Sequence, residues 1–291
     1  MLPNFLCIGA PKSGTTTLYE ILKQHPEIGV SSFKEPRFFD NEDNWKKGID
    51  WYEKTYFSHI VNEVVLGEFT PSYLANEVAS KRIFNSLGEG LKLVLVLRNP
   101  IERAYSHYLH SKRDSYEELS FLEALKQEQS RLLVDKEDPN KFGYIFYGRY
   151  SEQVKSYLSL YDRKQLNIII FEEFLKDKRS TISTLLDFLG VERQQLNTNI
   201  HKNPARTARF PILKRAMKKD SVIKKFVKFL VPSSVSRQKA RNYLHGINNK
   251  QATKVPLSNE EFSECYNLYF KVEIESLENL LSLDLSDWKR C

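Results

Sequence analysis

The sequence predicts an α/β protein of three layers: a central parallel sheet with helices on both faces and a phosphate-binding loop (P-loop) after its first strand. Three observations carry this reading. Apolar runs at 5–9, 64–68, 92–97 and 167–171 alternate with segments of helical periodicity, the order expected when helical crossovers join parallel strands. The first run enters a turn with two glycines and then a helix. No internal repeat or low-complexity tract is present and no apolar run approaches the ~20 residues of a membrane span, so repeat architectures and a transmembrane segment are set aside.

The first strand holds Phe5, Leu6, Cys7 and Ile8, and Cys7 is read as a buried strand residue. Met1-Leu2-Pro3-Asn4 before it has no basic stretch and no small-residue cleavage site, so no secretory signal is expected. The cysteines, at 7, 265 and 291, form no metal-ligand spacing and leave an odd count; a reducing, cytoplasmic setting is expected. Helices are predicted at 15–24, 75–84, 101–112, 120–133, 150–160 and 181–189, the fifth from Val154, Tyr157, Leu158 and Tyr161 recurring at helical spacing. Gly190 supplies the stop of the sixth. Pro, Gly and charges make 134–143 a loop, 198–210 is polar around Pro204, and 212–230 and 258–283 read as amphipathic helices. The chain is read as one domain, 1–291, with a cofactor-binding core at 1–200, a basic region at 201–250 that caps the site, and a C-terminal helix within 251–291.

Composition excludes a disordered chain, since 41% of the 291 residues are hydrophobic. The net charge of +7 is unevenly spread: residues 201–250 hold 14 Lys or Arg against one acid, Asp220, so this window carries +13 and the other 241 residues sum to −6. Lysines and arginines from Lys214 to Lys228 interleave with Phe226, Phe229 and Leu230. Such a cationic face is either solvated or docks an anionic acceptor, a partner or a membrane surface peripherally.

The turn Gly9-Ala10-Pro11-Lys12-Ser13-Gly14-Thr15-Thr16-Thr17 stands between strand and helix, where backbone N–H groups and the helix dipole meet an anion. A nucleoside triphosphatase loop places lysine directly after its second glycine. Here Thr15 follows Gly14, and Lys12 lies inside the loop. The run 91–97 ends in Arg98 rather than in an acid that would hold Mg²⁺, so metal-dependent phosphoryl transfer lacks its parts and a second phosphate site is indicated.

Pro11-Lys12-Ser13-Gly14-Thr15-Thr16 resembles the 5′-phosphosulfate loop of the sulfotransferases that use 3′-phosphoadenosine 5′-phosphosulfate (PAPS), and Arg98-Asn99-Pro100 with Ser106 resembles their 3′-phosphate motif. Lys34-Glu35-Pro36-Arg37-Phe38-Phe39, Gly67-Glu68-Phe69-Thr70-Pro71-Ser72-Tyr73-Leu74 and Asp284-Leu285-Ser286-Asp287-Trp288 are similar to segments of the Golgi heparan sulfate branch and its bacterial relatives. The likeness covers residue 3 to about residue 190 closely and the basic window poorly.

Sulfuryl transfer needs an anion cradle, a cation at the departing oxygen and a base. Lys12 is the candidate cation, because charge develops on that oxygen in the transition state. Thr15, Thr16 and the amides from Ser13 through Gly14 to Thr17 are expected to hold the 5′-phosphate, and Arg98 with Ser106 the 3′-phosphate. Arg103, one turn before Ser106, is read as a surface ion pair. The resemblance makes Glu35 the base, with packing of Phe38-Phe39 expected to desolvate its carboxylate; an ordinary ion pair with Lys34 or Arg37 is the plainer reading. His107 and His110 are rival bases by likeness to the steroid and phenol sulfotransferases. The resemblance also places a loop that closes over the cofactor at 201–209, where Arg206 and Arg209 are both eligible for the 3′-phosphate.

Phe38, Glu68 and Phe69 are taken as acceptor contacts. Many heparan sulfate enzymes have lysine where this chain has Phe69, and an aromatic face favours a small or uncharged acceptor over a polyanion. The expected function is PAPS-dependent transfer of a sulfuryl group to a hydroxyl, less readily an amine, of a carbohydrate or small natural product in a bacterium, without a metal. Two other classes are weighed: a kinase-like phosphotransferase, opposed by the displaced lysine and by Arg98, and a polyanion-binding module built on the 201–250 window, which leaves Lys12, Glu35 and Arg98 without a role. Nucleic acid is not an expected partner.

Overall fold

A computed structural model describes residues 1–200 and 256–290, together with the backbone of two short strands, Arg206–Ala208 and Asn249–Gln251. The apolar runs become strands β1 (Phe5–Gly9), β3 (Val65–Phe69), β4 (Lys92–Leu97) and β5 (Leu166–Ile170), within one residue of the sequence reading, and a fifth, β2 (Ile28–Val30), is too short to show a pattern. They form one parallel sheet in the order β2-β3-β1-β4-β5.

Both faces of the sheet are covered, which is why its strands are continuously apolar rather than alternating. Phe5, Cys7, Val94 and Val96 pack on one face against Leu18 and Ile21 of helix α1 (Thr15–Leu22) and against Leu185 and Leu186 of a helix that follows β5. Leu6, Ile8, Leu93 and Leu95 face the larger core on the other side. That core contains Ile83 of α4 (Glu77–Leu87), Ile101 of α5 (Pro100–Arg113) and Val154 of α8 (Tyr150–Leu158). The short α2 (Glu42–Trp45) and α3 (Ile49–Tyr56), both unforeseen in the sequence, follow β2; α6 (Phe121–Leu133) and the single turn α7 (Pro139–Phe142) precede α8. After β5 come α9 (Phe171–Lys176) and α10 (Lys178–Leu189), stopped by Gly190 at φ 82°.

The expected single helix at 258–283 is two helices, Asn259–Cys265 and Lys271–Leu281, joined through a π-helical stretch, Tyr266–Phe270. The chain then ends in a tight turn, Ser286–Lys289, whose Trp288 is 2% exposed. Arg206–Ala208 (β6) and Asn249–Gln251 (β7) pair antiparallel, and β6 runs beside α5. The predicted basic helix at 212–230 and Arg209 lie outside the described residues, as does the side chain of Arg206. Among the described residues no helix is long and apolar enough to cross a membrane.

Candidate active site

All five strands run the same way, so the loops at their C-terminal ends meet at one edge, where open α/β sheets bind ligands. A cavity of about 820 Å³ opens there, lined by the turn after β1, the loop after β2, residues 71–72 after β3, α9 and the second half of α5. Of the sequence candidates, Lys12, Gly14, Thr15, Thr16, Thr17, Glu35, Arg98 and Ser106 line it together.

The cradle is built from backbone. Gly14 caps α1 at φ 87°, no side chain caps the helix and its first turn holds no acid, so its dipole faces the cavity uncompensated. A Cβ on Gly14 would lie 2.6 Å from the Phe171 ring, which closes the far side. Ser13 is fully buried behind the loop and contributes no side chain to the cavity wall. Lys12 holds the left-handed conformation, φ 69°, and its ammonium is pushed from 10.5 down to about 7, chiefly by burial and next by the Arg113 guanidinium, with Glu35 acting the other way. An anion is what this lysine lacks.

Arg98 emerges one residue after β4. Its Nη1 donates to the Lys12 carbonyl at 3.3 Å and its Nη2 to Glu102 Oε2 at 2.9 Å, while Nε is buried with no partner. The guanidinium lies 5.1 Å over Phe171, a cation–π contact that leaves its edge available to a phosphate. Asn99 caps α5 by accepting from the Ile101 and Glu102 amides, so Arg98 and Ser106 hang from one rigid element. An uncapped helix start, a recessed lysine and a guanidinium with an orphaned Nε fit a ligand with two anionic groups.

Glu35 stands across the cavity on a loop in which both Glu35 (φ 62°) and Arg37 (φ 54°) are left-handed, a conformation that costs side-chain-bearing residues of the order of 1 kcal/mol each. The Glu35 amide donates to the Phe69 carbonyl at 3.0 Å, the Arg37 amide to Thr70 Oγ1 at 3.4 Å, and the Phe38 amide to Tyr73 Oη at 2.9 Å. The carboxylate is half exposed and pairs with Lys34, the plainer arrangement named above. Phe38 and Phe39 turn away from it into an aromatic cluster with Tyr52 and Trp45, so the expected desolvation of Glu35 by these rings does not occur.

The three expected acceptor contacts do not reach the cavity. Glu68 and Phe69 are strand residues, whose side chains stand on the faces of a sheet rather than at its end. Phe69 packs edge-on against Phe5 and Tyr19 on one face. Glu68, on the other, accepts from Tyr52 Oη and Thr70 Oγ1 and is pushed up to about 7 by burial. Phe38 is fully buried. All three act from behind, by fixing the backbone that carries Glu35. With Phe69 facing the core, the inference from its ring to an uncharged acceptor loses its basis.

Arg103 is a second correction: it is fully buried, and its Nη2 donates to the Gly143 and Tyr144 carbonyls instead of pairing at the surface. One turn on, His107 meets the Asn140 carbonyl through Nε2 at 2.9 Å, and Ser111 Oγ donates to the Lys141 carbonyl at 2.6 Å. This polar stripe fastens the 138–148 loop to α5 and so places Asn140 and Tyr147 in the cavity wall. Burial, then Arg103 and Lys12, hold His107 well below its ordinary value, which makes it a poor base. His110 lines the cavity with its Nδ1 3.9 Å from Asp114.

Sequence reasoning passed over Arg37, Arg113 and Phe171. Arg37 pairs with Asp40, which also accepts from Ser72 Oγ at 2.6 Å; its signal was a cation inside the Glu35 motif. Phe171, the last residue of the run read at 167–171, is the first residue beyond the strand, which ends at Ile170. In all, six cationic side chains line the cavity, Lys12, Lys34, Arg37, Arg98, Arg113 and Lys178, against one carboxylate, Glu35, among the described residues.

Comparison with known proteins agrees with this geometry. Mouse heparan sulfate glucosamine 3-O-sulfotransferase 3B1 is 30% identical over 220 residues, 74% of this chain and 52% of its own length. The membrane-associated sulfotransferase kil1 of Dictyostelium discoideum is 41% identical over 109 residues, 37% of this chain and 22% of its own. The chain thus spans about half the length of the first of these, or less. A sulfotransferase crystal structure from Alicyclobacillus acidocaldarius superposes over 100% of both chains with a TM-score of 0.71 at 26% identity. The family profile described as sulfotransferase domain matches residues 2–256, and the chain belongs to that family.

Proposed function

We propose that this protein is a PAPS-dependent sulfotransferase acting on a hydroxyl of a glycan that carries negative charge. The observation that carries the reading is the meeting of Lys12, Arg98 and Glu35 on one cavity at the uncapped start of α1. When bound, PAPS supplies a sulfuryl group, whose bond to the 5′-phosphate oxygen breaks as the acceptor oxygen bonds to sulfur. The amides opening α1, with Thr15 and Thr16, hold the 5′ end; Arg98 and Ser106 hold the 3′-phosphate. Lys12, protonated once an anion lies beside it, meets the charge left on the departing oxygen. Glu35 takes the acceptor's proton, its carboxylate aimed by the pairing with Lys34.

Arg37, two residues from Glu35, and Arg113 in the same cavity wall support an anionic substrate, as does the likeness to an enzyme named for heparan sulfate glucosamine. Cys7 and Cys265 are buried free thiols, which supports a reducing compartment. The test is thermal melting with 3′-phosphoadenosine 5′-phosphate, with ATP and Mg²⁺, and with single-stranded DNA. Ligand at a hundred times its Kd stabilises by about 2.7 kcal/mol. Stabilisation by the first alone is expected; a larger shift with ATP, or none with the first, would refute the reading.

A further inference from the structure

Arg98 leaves the sheet at a corner whose backbone is held from three directions. The Asn99 amide donates to Glu172 Oε1 at 3.1 Å, Trp288 Nε1 donates to Glu172 Oε2 at 3.1 Å, and Asn99 Nδ2 donates to the Trp288 carbonyl at 3.2 Å. These three bonds close a ring through residues from β4's end, the first turn of α9 and the chain's last turn. Tyr150 Oη donates to the Arg98 carbonyl at 3.0 Å, and its ring lies 6.3 Å from that of Trp288. Trp288 is 2% and Asn99 5% exposed. The Glu172 carboxylate thus spends both oxygens on N–H donors of the corner and the indole. Its neighbour Phe171 carries the Arg98 guanidinium on its ring.

We propose that Trp288 and Glu172 are positioning residues for Arg98: the C-terminal turn clamps the Arg98–Asn99 corner in the register that turns the guanidinium into the cavity, and so sets the preference for a nucleotide 3′-phosphate. The proposal rests on the PAPS reading. A carboxylate bridging an amide and an indole N–H fixes direction as well as distance, because each donor must point at its own oxygen. Losing the indole N–H leaves the part-buried Glu172 Oε2 without its donor, and the carboxylate swings to find another. The Asn99 amide then loses its fixed acceptor, and the arginine one residue earlier loses its aim. The 5′ cradle meets this corner through the Arg98 bond to the Lys12 carbonyl and keeps the amides that open α1.

The experiment compares 3′-phosphoadenosine 5′-phosphate with adenosine 5′-phosphate, which lacks the 3′-phosphate, by calorimetry on the full chain and on the W288F and E172Q variants. W288F keeps an aromatic ring and removes the N–H; E172Q keeps the shape and removes the charge, and stands in if W288F does not fold. The expected result is a Kd for the bisphosphate raised roughly three- to tenfold in each variant, the size of one ordinary hydrogen bond, with the monophosphate unchanged. An unchanged preference, or equal weakening of both ligands, overturns the clamp alone. Absence of any 3′-phosphate preference in the wild-type protein overturns the PAPS reading, and the clamp falls with it.

Discussion

Lys12 makes a quantitative prediction about protons. Burial and Arg113 hold its ammonium at about 7 in the free protein, against an ordinary 10.5. A phosphate placed against it returns it toward the ordinary value, so at pH 8 the free lysine is about one-tenth protonated and the liganded one almost fully so. Binding of 3′-phosphoadenosine 5′-phosphate at pH 8 is therefore expected to take up about 0.9 proton. Between pH 7 and 9 the cost of loading that proton weakens binding by about fiftyfold, or ~2.3 kcal/mol. Phosphate groups titrate near 6 and are already ionised across this window. Calorimetry in three buffers of different ionisation enthalpy reads the uptake directly, and K12M provides the reference in which it vanishes. Stability has a matching sign. A folded value below the unfolded one means the unfolded chain binds more protons between pH 7 and 10.5, so the free wild-type protein gains stability relative to K12M as pH rises through that range and is least stable relative to it below pH 7. Equal proton uptake by wild type and K12M at pH 8 would refute the assignment of Lys12 as the recessed anion-seeking cation.

Three further outcomes follow from the geometry. E35Q is expected to lower kcat by a factor of 10² or more, the range of a lost general base, while the Kd for 3′-phosphoadenosine 5′-phosphate stays within twofold; near-normal turnover would place the base elsewhere. G14A puts a methyl 2.6 Å from the Phe171 ring at φ 87°, so it should cost roughly 1–3 kcal/mol of stability and abolish nucleotide binding, read by chemical denaturation and calorimetry. R37Q should raise the KM for an anionic glycan about tenfold, the worth of one charge-assisted hydrogen bond, and change the KM for a neutral sugar little; steady-state kinetics on a matched pair of acceptors tests it.

What was legible in the sequence was what is local. Lys12 and Arg98 follow apolar strands directly, so strand, turn and helix could be read from a dozen residues each, and both lie in the cavity wall. The helical spacing of apolar residues placed α6 at 120–133, and Gly190 marked the end of α10, because both are patterns of near neighbours. What failed depended on partners far away in the chain. Arg103 looks like a surface residue until the Gly143 and Tyr144 carbonyls come to meet it. Phe69 aligns with a functional position, but the strand that carries it runs to Phe69 itself, so the ring stands on a sheet face and packs against Phe5 and Tyr19. Only residues beyond a strand's end can reach the edge where ligands bind. The sequence hides that rule, because its apolar runs 64–68 and 167–171 are each one residue out of place: they leave Phe69 beyond its strand and keep Phe171 inside its own.

The strand order explains why one lysine can serve two substrates. With β1 at the centre, β3 lies on one side and β4 then β5 on the other. The β3 side holds the Glu35 loop through the Phe69 carbonyl and Thr70. The β4–β5 side holds Arg98, Phe171 and Glu172. The turn after β1 is the boundary between them: Lys12 gives its carbonyl to Arg98 on one side and feels the charge of Glu35 from the other. A group transferred between two ligands must pass over the residue that both halves share. Moving the lysine to its place after Gly14, as in a nucleoside triphosphatase loop, would carry it into α1 and onto one ligand alone. Its position inside the turn, between the two glycines, is what would put a cation at the point of exchange in the proposed reaction.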